Sequence, residues 1–192
     1  MDHHIDIRAI AEPDLGITEG AVLSALVQKL HLALVDLDCD DIGITLPNHR
    51  NRPRTTGNIL RLHGPRNGLH TLAEGEWHKR LSSHLEWTDV LKIPATTGHR
   101  VVRRARPKHA NVEQLRARRM RRHGITYEEA RSAIPDTVKQ KPIHLPYVQL
   151  RSRTTGQPFS LFIHHGPIRK IPESGRFNTY GLSDGNATLP WF

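Results

Sequence analysis

The residues with the clearest chemical potential lie between Asn111 and Gly124, a stretch reading N-V-E-Q-L-R-A-R-R-M-R-R-H-G with five arginines and no lysine. Arginine presents a planar fork that matches phosphate oxygens and guanine edges, whereas lysine acts as a point charge. Asn111 suits a helix N-cap and Gly124 the left-handed residue that ends a helix. On such a helix Gln114, Arg118, Arg121 and Arg122 share one side, while Arg116, Arg119 and His123 turn towards the other flank. Only Val112, Leu115, Ala117 and Met120 are apolar, so there is little face to bury. Most charge runs are solvated faces. Arginine chosen to the exclusion of lysine points instead to a nucleic acid lying against the helix.

Other reactive groups carry weaker signals. Asp36, Asp38, Asp40 and Asp41 cluster in one stretch, but the calcium-loop pattern needs glycine at its sixth position and glutamate at its twelfth. Those positions hold Asp41 and Pro47, so a solvated loop is expected rather than a metal site. The chain has 14 histidines, but His3-His4 and His164-His165 are strand neighbours that point to opposite faces. No phosphate-binding Gly-Lys-Ser/Thr loop, Rossmann glycine pattern, H-E-x-x-H or paired C-x-x-C occurs. The expectation is a protein with no cofactor and no metal.

The 192 residues allow one large domain or two small ones, with 36% hydrophobic and 5% aromatic residues to build the core. The net charge is +9, and residues 99–123 hold most of the excess, as a polyanion site would. A membrane surface is the competing partner, but the basic helix lacks the Trp/Phe/Leu face of an interfacial helix. The single cysteine, Cys39, excludes an internal disulfide framework and suits a reducing cytoplasm. The start M-D-H-H-I-D-I does not read as a signal peptide, and no apolar run reaches membrane-spanning length. A soluble cytoplasmic chain is expected.

The elements that must position these groups follow from periodicity. His3–Ala9 alternates as a strand, and Thr18 caps a helix running to about Val35. Its apolar arc is Val22, Leu23, Leu26, Leu30, Ala33 and Leu34, with His31 just off the edge near Ser24 and Gln28. Asp41–Pro47 and Asn58–His63 read as strands, separated by a polar loop over 48–57 that holds His49, Arg50, Arg52 and Arg54. Gly68–His84 is helix-like, weakened at Gly75, and Leu85–Ile93 reads as the fourth strand. The order β-α-β-β-α-β is the ferredoxin-like arrangement within an α+β chain.

Pro94–Gly98 is the expected boundary, giving residues 1–94 as a ferredoxin-like domain and 95–192 as a nucleic-acid-binding α+β domain. His99–Arg106 alternates as a strand or arm carrying Arg103, Arg104 and Arg106, ahead of the arginine helix. Thr126 and Glu129 form a capping box for a short helix ended by Ile134-Pro135, and a polar connection covers 136–144. Leu145–Ser152 pairs with Pro158–His165 through R-T-T-G-Q, and Arg176–Ser183 reads as the last strand.

Several segments together resemble a known family. They are the opening M-D-H-H-I-D-I, K-L-H-L-A-L-V on the first helix, R-R-M-R-R-H, I-P-D-T-V, the hairpin L-R-S-R-T-T-G-Q-P-F-S-L-F-I-H-H-G-P and the ending Y-G-L-S…P-W-F. In this order they are similar to the type I-F CRISPR repeat-processing endoribonucleases of the RAMP superfamily, over nearly the whole chain. The resemblance implies a metal-independent RNase that cuts precursor transcripts at the 3′ base of each repeat hairpin. It also implies that the enzyme stays bound to the product and joins the other subunits of a surveillance complex.

By the same resemblance, His31, Ser152 and Tyr180 match the catalytic residues. Gln114, Arg118, Arg121, Arg122 and His123 fall on the stem-binding helix, Phe159 matches the aromatic that stacks on the terminal base pair, and Arg104 matches a guanine reader. Arg106 stands where a family member carries an adenine-reading amide, and Ala117 interrupts the arginine run. An RNA substrate carries its own nucleophile, the 2′-OH, so positioning and proton transfer suffice, and a histidine can exchange the proton. The A-form major groove is deep and narrow, so an arginine helix enters where a stem ends or opens. Two alternatives stand beside this reading: a non-catalytic RNA-hairpin-binding subunit, and a metal-dependent nuclease built on Asp36, Asp38, Asp40 and Asp41.

Overall fold

The computed structural model describes residues 1–95, 98–106, 112–135 and 143–192. The expected cap at Asn111, most of the polar connection over 136–144 and the middle of the Pro94–Gly98 boundary lie outside the described residues. The protein is α+β and divides into two units, Met1–Ala105 with His144–Phe192, and Arg106–Ile143.

In the first unit β1 (His3–Ala9) leads through a one-turn 3-10 helix, Pro13–Leu15, into α1 (Glu19–Asp36). Thr18 caps α1, its hydroxyl accepting from the Ala21 N–H, and Val22, Leu23, Leu26, Val27, Leu30, Ala33 and Leu34 form the buried face. Then come β2 (Gly43–Thr45), the two-residue strands β3 (Arg50–Asn51) and β4 (Arg54–Thr55), β5 (Ile59–Gly64) and α2 (Arg66–Glu74). The helix-like stretch does break at Gly75, continuing as a 3-10 helix over Glu76–His84. The expected fourth strand is two pieces, β6 (Leu85–Trp87) and β7 (Leu91–Lys92), both paired with β1. Between them Thr88 turns away to bond the Asp6 backbone, its N–H donating to the carbonyl and its hydroxyl accepting from the amide.

The strands lie in the order β2-β5-β1-β6, every neighbour antiparallel. Each helical crossover therefore skips one strand, and the two β-α-β units interlock. Ile5, Ile7 and Ala9 of β1 are buried with α1 and α2 residues in the core. The opposite face of β1 and β5 carries His4, Asp6, Arg61 and His63. Arg61 binds both Asp6 carboxylate oxygens, at 2.6 and 2.8 Å, donates to the Phe192 carbonyl at 2.8 Å, and lies 4.0 Å over the Phe192 ring. That guanidinium fastens the chain's last described residue to the sheet.

The chain then runs through β8 (Gly98–Arg100) and β9 (Val102–Ala105), which the sequence suggests as one strand. They are separate because the chain changes sheets at Val101: β8 pairs with β14 (Leu189–Trp191), and β9 pairs with β11 (Pro158–His165). The predicted hairpin is β10 (Tyr147–Arg151) with β11, giving a second sheet of order β10-β11-β9. Val102, Val148, Leu150, Leu161 and Ile163 share the core of the first sheet. The expected strand Arg176–Ser183 is a small hairpin of β12 (Arg176–Phe177) and β13 (Ser183–Asp184). Asn178 is the reason: its side-chain oxygen accepts from the Tyr180 and Leu182 N–H groups and forces the chain to turn.

The second unit holds α3 (Val112–His123) and α4 (Tyr127–Ala133), joined at Gly124, whose φ of +62° ends α3. The Thr126–Glu129 capping box forms in both directions. Arg116, on the flank away from Arg118, Arg121 and Arg122, is 2% exposed. Its guanidinium donates to the Ile134 carbonyl at 3.1 and 2.7 Å and to Glu113 at 2.9 Å. It clamps the C-terminal end of α4, where a cation is favoured by the helix dipole.

Buried histidines impose a pH dependence. Burial holds His63 well below the ordinary imidazole value, and burial beside His49 and Arg100 brings His165 down to about 2. An unfolded histidine titrates near 6.5, so below that value the unfolded chain takes up protons that these two sites refuse. Stability should therefore fall with acid, by about 1.4 kcal/mol for each such histidine between pH 7.5 and 5.5. Urea unfolding at the two pH values measures this, and equal midpoints would show that the two rings are not held neutral.

Candidate functional site

His31 sits two positions from the buried Ala33 on α1, on the stripe that also carries Ser24 and Gln28. This stripe faces the outer edge of β10. The Ser24 hydroxyl accepts from the Gln149 N–H at 3.0 Å, and the Gln28 side-chain oxygen accepts from the Arg151 N–H at 2.8 Å. His31 is the next position along the stripe, one turn after Gln28, and Ser152 is the next residue after Arg151. Helix and hairpin thus converge in register.

The His31 ring is fixed from a second direction. Its Nδ1 lies 2.9 Å from the Thr179 carbonyl, and its plane stacks on Tyr180 with ring centroids 4.0 Å apart and 10° between planes. A carbonyl oxygen only accepts, so Nδ1 carries the hydrogen and Nε2 is the nitrogen left for chemistry. The loop presenting these groups is itself pinned. Gly181 has φ +69°, its carbonyl accepts from the Ile44 N–H at 2.8 Å, and a Cβ there would stand 2.7 Å from the Ile44 side chain. Only glycine fits this left-handed, tightly packed position.

Ser152 opens the hairpin turn. Its N–H donates to the Gln157 carbonyl, its carbonyl accepts from Gly156, and its hydroxyl accepts from the Thr155 N–H at 3.3 Å. Phe159, half-buried at the start of β11, lies under Arg104 of β9, whose guanidinium is 5.5 Å from the ring centroid. The structure therefore brings His31 and Tyr180 into contact, sets Ser152 at the adjoining turn, and pairs Arg104 with Phe159.

In the second unit Arg118, Arg121, Arg122 and His123 are all exposed on α3, with Arg119 beside them, and Arg106 is exposed where that unit begins. These basic residues of α3, with Leu115 and Ile134, line one cleft. Gln114 lies on the same helix, and its side chain is outside the described residues. Around the acidic stretch Asp40 pairs with Arg176 at 3.3 Å, and the Cys39 thiol donates to Asp41 at 3.0 Å. Among the described residues no group of three or more His, Cys, Asp or Glu is placed to hold a metal.

The sequence marks Ser24 and Gln28 only as helix neighbours of His31, and gives no role to them or to Asn178, the Thr179 carbonyl and Gly181. The one available signal is N-T-Y-G at 178–181, an Asx-and-glycine turn inside what alternation presents as a strand.

Comparison with known proteins gives a consistent match. A family described as CRISPR-associated protein (Cas_Csy4) matches residues 4–192. The CRISPR-associated endonuclease Cas6/Csy4 of Pseudomonas aeruginosa (strain UCBPP-PA14) is 42% identical over 192 residues, all of both chains. The CRISPR-associated endonuclease Cas6/Csy4 of Escherichia coli (strain UTI89 / UPEC) is 34% identical over the same full length.

The arginines of α3 divide by burial, and substitution should separate them. Arg116→Ala leaves the Ile134 carbonyl without its guanidinium and should destabilise the α3–α4 pair by at least about 2 kcal/mol. Faster amide exchange on α4 would report it. Replacing Arg118, Arg121 and Arg122 together by alanine should leave that exchange unchanged. Matching exchange in the two variants would remove the clamp role from Arg116.

Proposed function

This chain belongs to the CRISPR-associated Csy4 family, whose relatives are named endonucleases, and on that premise we propose how it acts on RNA. It is a metal-independent endoribonuclease that recognises the CRISPR repeat stem-loop. It cuts the precursor at the 3′ base of the hairpin, stays bound to the mature crRNA and joins the other subunits of a type I-F surveillance complex. The ferredoxin-like reading of residues 1–94 is supported by the interlocked order β2-β5-β1-β6. For residues 95–192, read as the RNA-binding domain, the support is the concentration of exposed arginines on α3.

One observation carries the catalytic reading: the His31 ring held by the Thr179 carbonyl at Nδ1 and by Tyr180 across its face. A ring fixed in this way offers Nε2 in one orientation and one tautomer, as a proton-transfer group requires. In the reaction Nε2 takes the proton of the 2′-OH, and the 2′-oxygen attacks the adjacent phosphorus in line. The O2′–P bond forms, the P–O5′ bond breaks, and one proton passes in balance from O2′ to O5′. The products are a 2′,3′-cyclic phosphate and a 5′-OH. Ser152 holds the sugar hydroxyl at the hairpin turn, and Tyr180 keeps the imidazole from rotating.

Recognition is divided between two kinds of contact. Arg118, Arg121, Arg122 and His123, with Gln114 on the same helix, engage the stem, largely through phosphates, and set affinity. Arg104 and Arg106 read bases at the foot of the stem, and Phe159 stacks on its last base pair, with Arg104 completing a cation–π shelf.

Cutting and binding should therefore come apart on substitution. His31→Ala should lose about two to four orders of magnitude in cleavage rate. Hairpin affinity should stay near the parent value. A substrate with a 2′-deoxy sugar upstream of the cut should bind and not react, and Ser152→Ala should fall between parent and His31→Ala. Single-turnover cleavage in chelator measures all of these. Efficient cutting by His31→Ala, or of the 2′-deoxy RNA, would sink the mechanism; abolition by chelator would return attention to the aspartates. The Arg118/Arg121/Arg122 triple alanine variant should show the complementary defect, weak binding that changes less steeply with salt.

A further inference from the structure

The carbonyl that orients His31 belongs to a peptide group with a second end. In a trans peptide the C=O of one residue and the N–H of the next lie in one plane and point in opposite directions. The Thr179 carbonyl and the Tyr180 N–H are such a pair. The carbonyl accepts from His31 Nδ1 at 2.9 Å, and the N–H donates to the Asn178 side-chain oxygen at 2.9 Å. One flat, rigid group is therefore gripped at both ends, by Asn178 on one side and by His31 on the other.

We propose that Asn178 is a positioning residue for His31 and acts through the Thr179–Tyr180 peptide group. The proposal rests on the reading of His31 as the proton-transfer residue. The relay runs from Asn178 Oδ1 to the Tyr180 N–H, through the peptide to the Thr179 carbonyl, and on to His31 Nδ1–H. It occupies the place that a carboxylate takes beside the histidine of a triad, with a neutral peptide as the contacting group. An amide whose N–H donates a hydrogen bond is polarised, and its carbonyl becomes a better acceptor. Asn178 thus strengthens the contact to His31 as well as aiming it.

The bonds around Asn178 single out its side chain. Both partners of Oδ1, the Tyr180 and Leu182 N–H groups, are donors, so the side-chain amide must present its oxygen and has one orientation. Two main-chain bonds help to close the same turn. The Asn178 N–H donates to the Leu182 carbonyl at 2.9 Å, and the Asn178 carbonyl accepts from Gly181 at 2.7 Å. Neither touches the Thr179–Tyr180 peptide. Loss of the side-chain oxygen should therefore loosen this peptide before it opens the turn. The Tyr180 ring, stacked on His31 with centroids 4.0 Å apart, springs from the same peptide group, so both contacts that fix the imidazole answer to one residue.

The test compares Asn178→Ala, Asn178→Ser and Asn178→Asp in the full-length protein. Aspartate keeps an oxygen acceptor at the same reach, serine keeps a shorter and weaker one, and alanine keeps none. Single-turnover cleavage of the cognate hairpin should slow about tenfold in Asn178→Ala, as loss of one ordinary hydrogen bond implies. Asn178→Asp should stay within about threefold of the parent, and Asn178→Ser should fall between. Affinity for a hairpin with a 2′-deoxy sugar upstream of the cut should be unchanged in all three, which places the loss in the chemical step.

The second readout is the tautomer, followed by nitrogen NMR of imidazole-labelled protein at about pH 8.5, where an ordinary imidazole is neutral. The His31 hydrogen should sit on Nδ1 in the parent and in Asn178→Asp, and be shared between Nδ1 and Nε2 in Asn178→Ala. An Asn178→Ala protein that keeps the Nδ1 tautomer overturns the relay whatever its rate, because any slowing is then lost stability alone. Parent-rate cutting by Asn178→Ala overturns it too, as does an Asn178→Asp protein as slow as Asn178→Ala. His31→Ala is measured in parallel. If it is slow while Asn178→Ala is parent-like, the relay fails and the cutting site stands. If His31→Ala cuts like the parent, the reading of His31 fails and takes the role of Asn178 with it.

Discussion

Two backbone amides on the outer edge of β10, those of Gln149 and Arg151, find their acceptors on the side chains of a helix, Ser24 and Gln28, rather than on another strand. Each bond ties one point of the strand edge to one side chain of the helix, so these two contacts together fix the rotation of α1 against the edge. The apolar arc from Val22 to Leu34 fixes the same rotation from the core side. A helix so constrained has one place to put the residue a turn beyond Gln28. That residue is His31, and the hairpin turn that starts at Ser152 is set by the same pairing.

The second constraint on His31 comes from a main-chain carbonyl, which distinguishes this arrangement from triads that orient histidine with a carboxylate. A carboxylate in that place would favour the imidazolium by its charge. A carbonyl orients the ring and selects the tautomer without adding a charge. It can do so only if the backbone carrying it is rigid. Asn178 binds two amides of the turn, and Gly181 lies so close to Ile44 that no other residue fits. Rigidity in the 178–181 loop thus substitutes for an acidic side chain.

The elements were legible where a local signal and the hydrophobic period agree. Thr18 before an apolar arc, Thr126 three residues before Glu129, and R-T-T-G-Q between alternating runs all specify structure within a few residues. Legibility failed where alternation continued through a tertiary decision. Leu85–Ile93 is interrupted because Thr88 answers to Asp6, and the 98–105 stretch is divided because Val101 changes sheets. Composition also left the role of Arg116 unread, since nothing local distinguishes a guanidinium that will clamp a helix end from one that stays in water. At the site, spacing placed His31 near Ser24 and Gln28 but gave no reason to prefer it over a packing residue. Its hydrogen-bond partner is a carbonyl 148 positions away, and a carbonyl leaves no trace in residue type. The resemblance to a family supplied what the local residues lacked.

The second unit interrupts the chain between β9 and β10, the two strands that flank β11. Along the chain it follows one strand and precedes another of a single three-stranded sheet, which also carries Arg104, Phe159 and the turn at Ser152. Charge is distributed to suit. Burial holds His49, His63 and His165 of the first unit towards the neutral form, so these three add no positive field to the core. Permanent cations cluster on the inserted helix, where Arg116 alone is spent on structure and its neighbours remain exposed. A helix that must present several guanidinium groups cannot gain stability from burying its own surface. Tying it to α4 through one buried arginine lets that clamp supply order that the helix's sequence withholds.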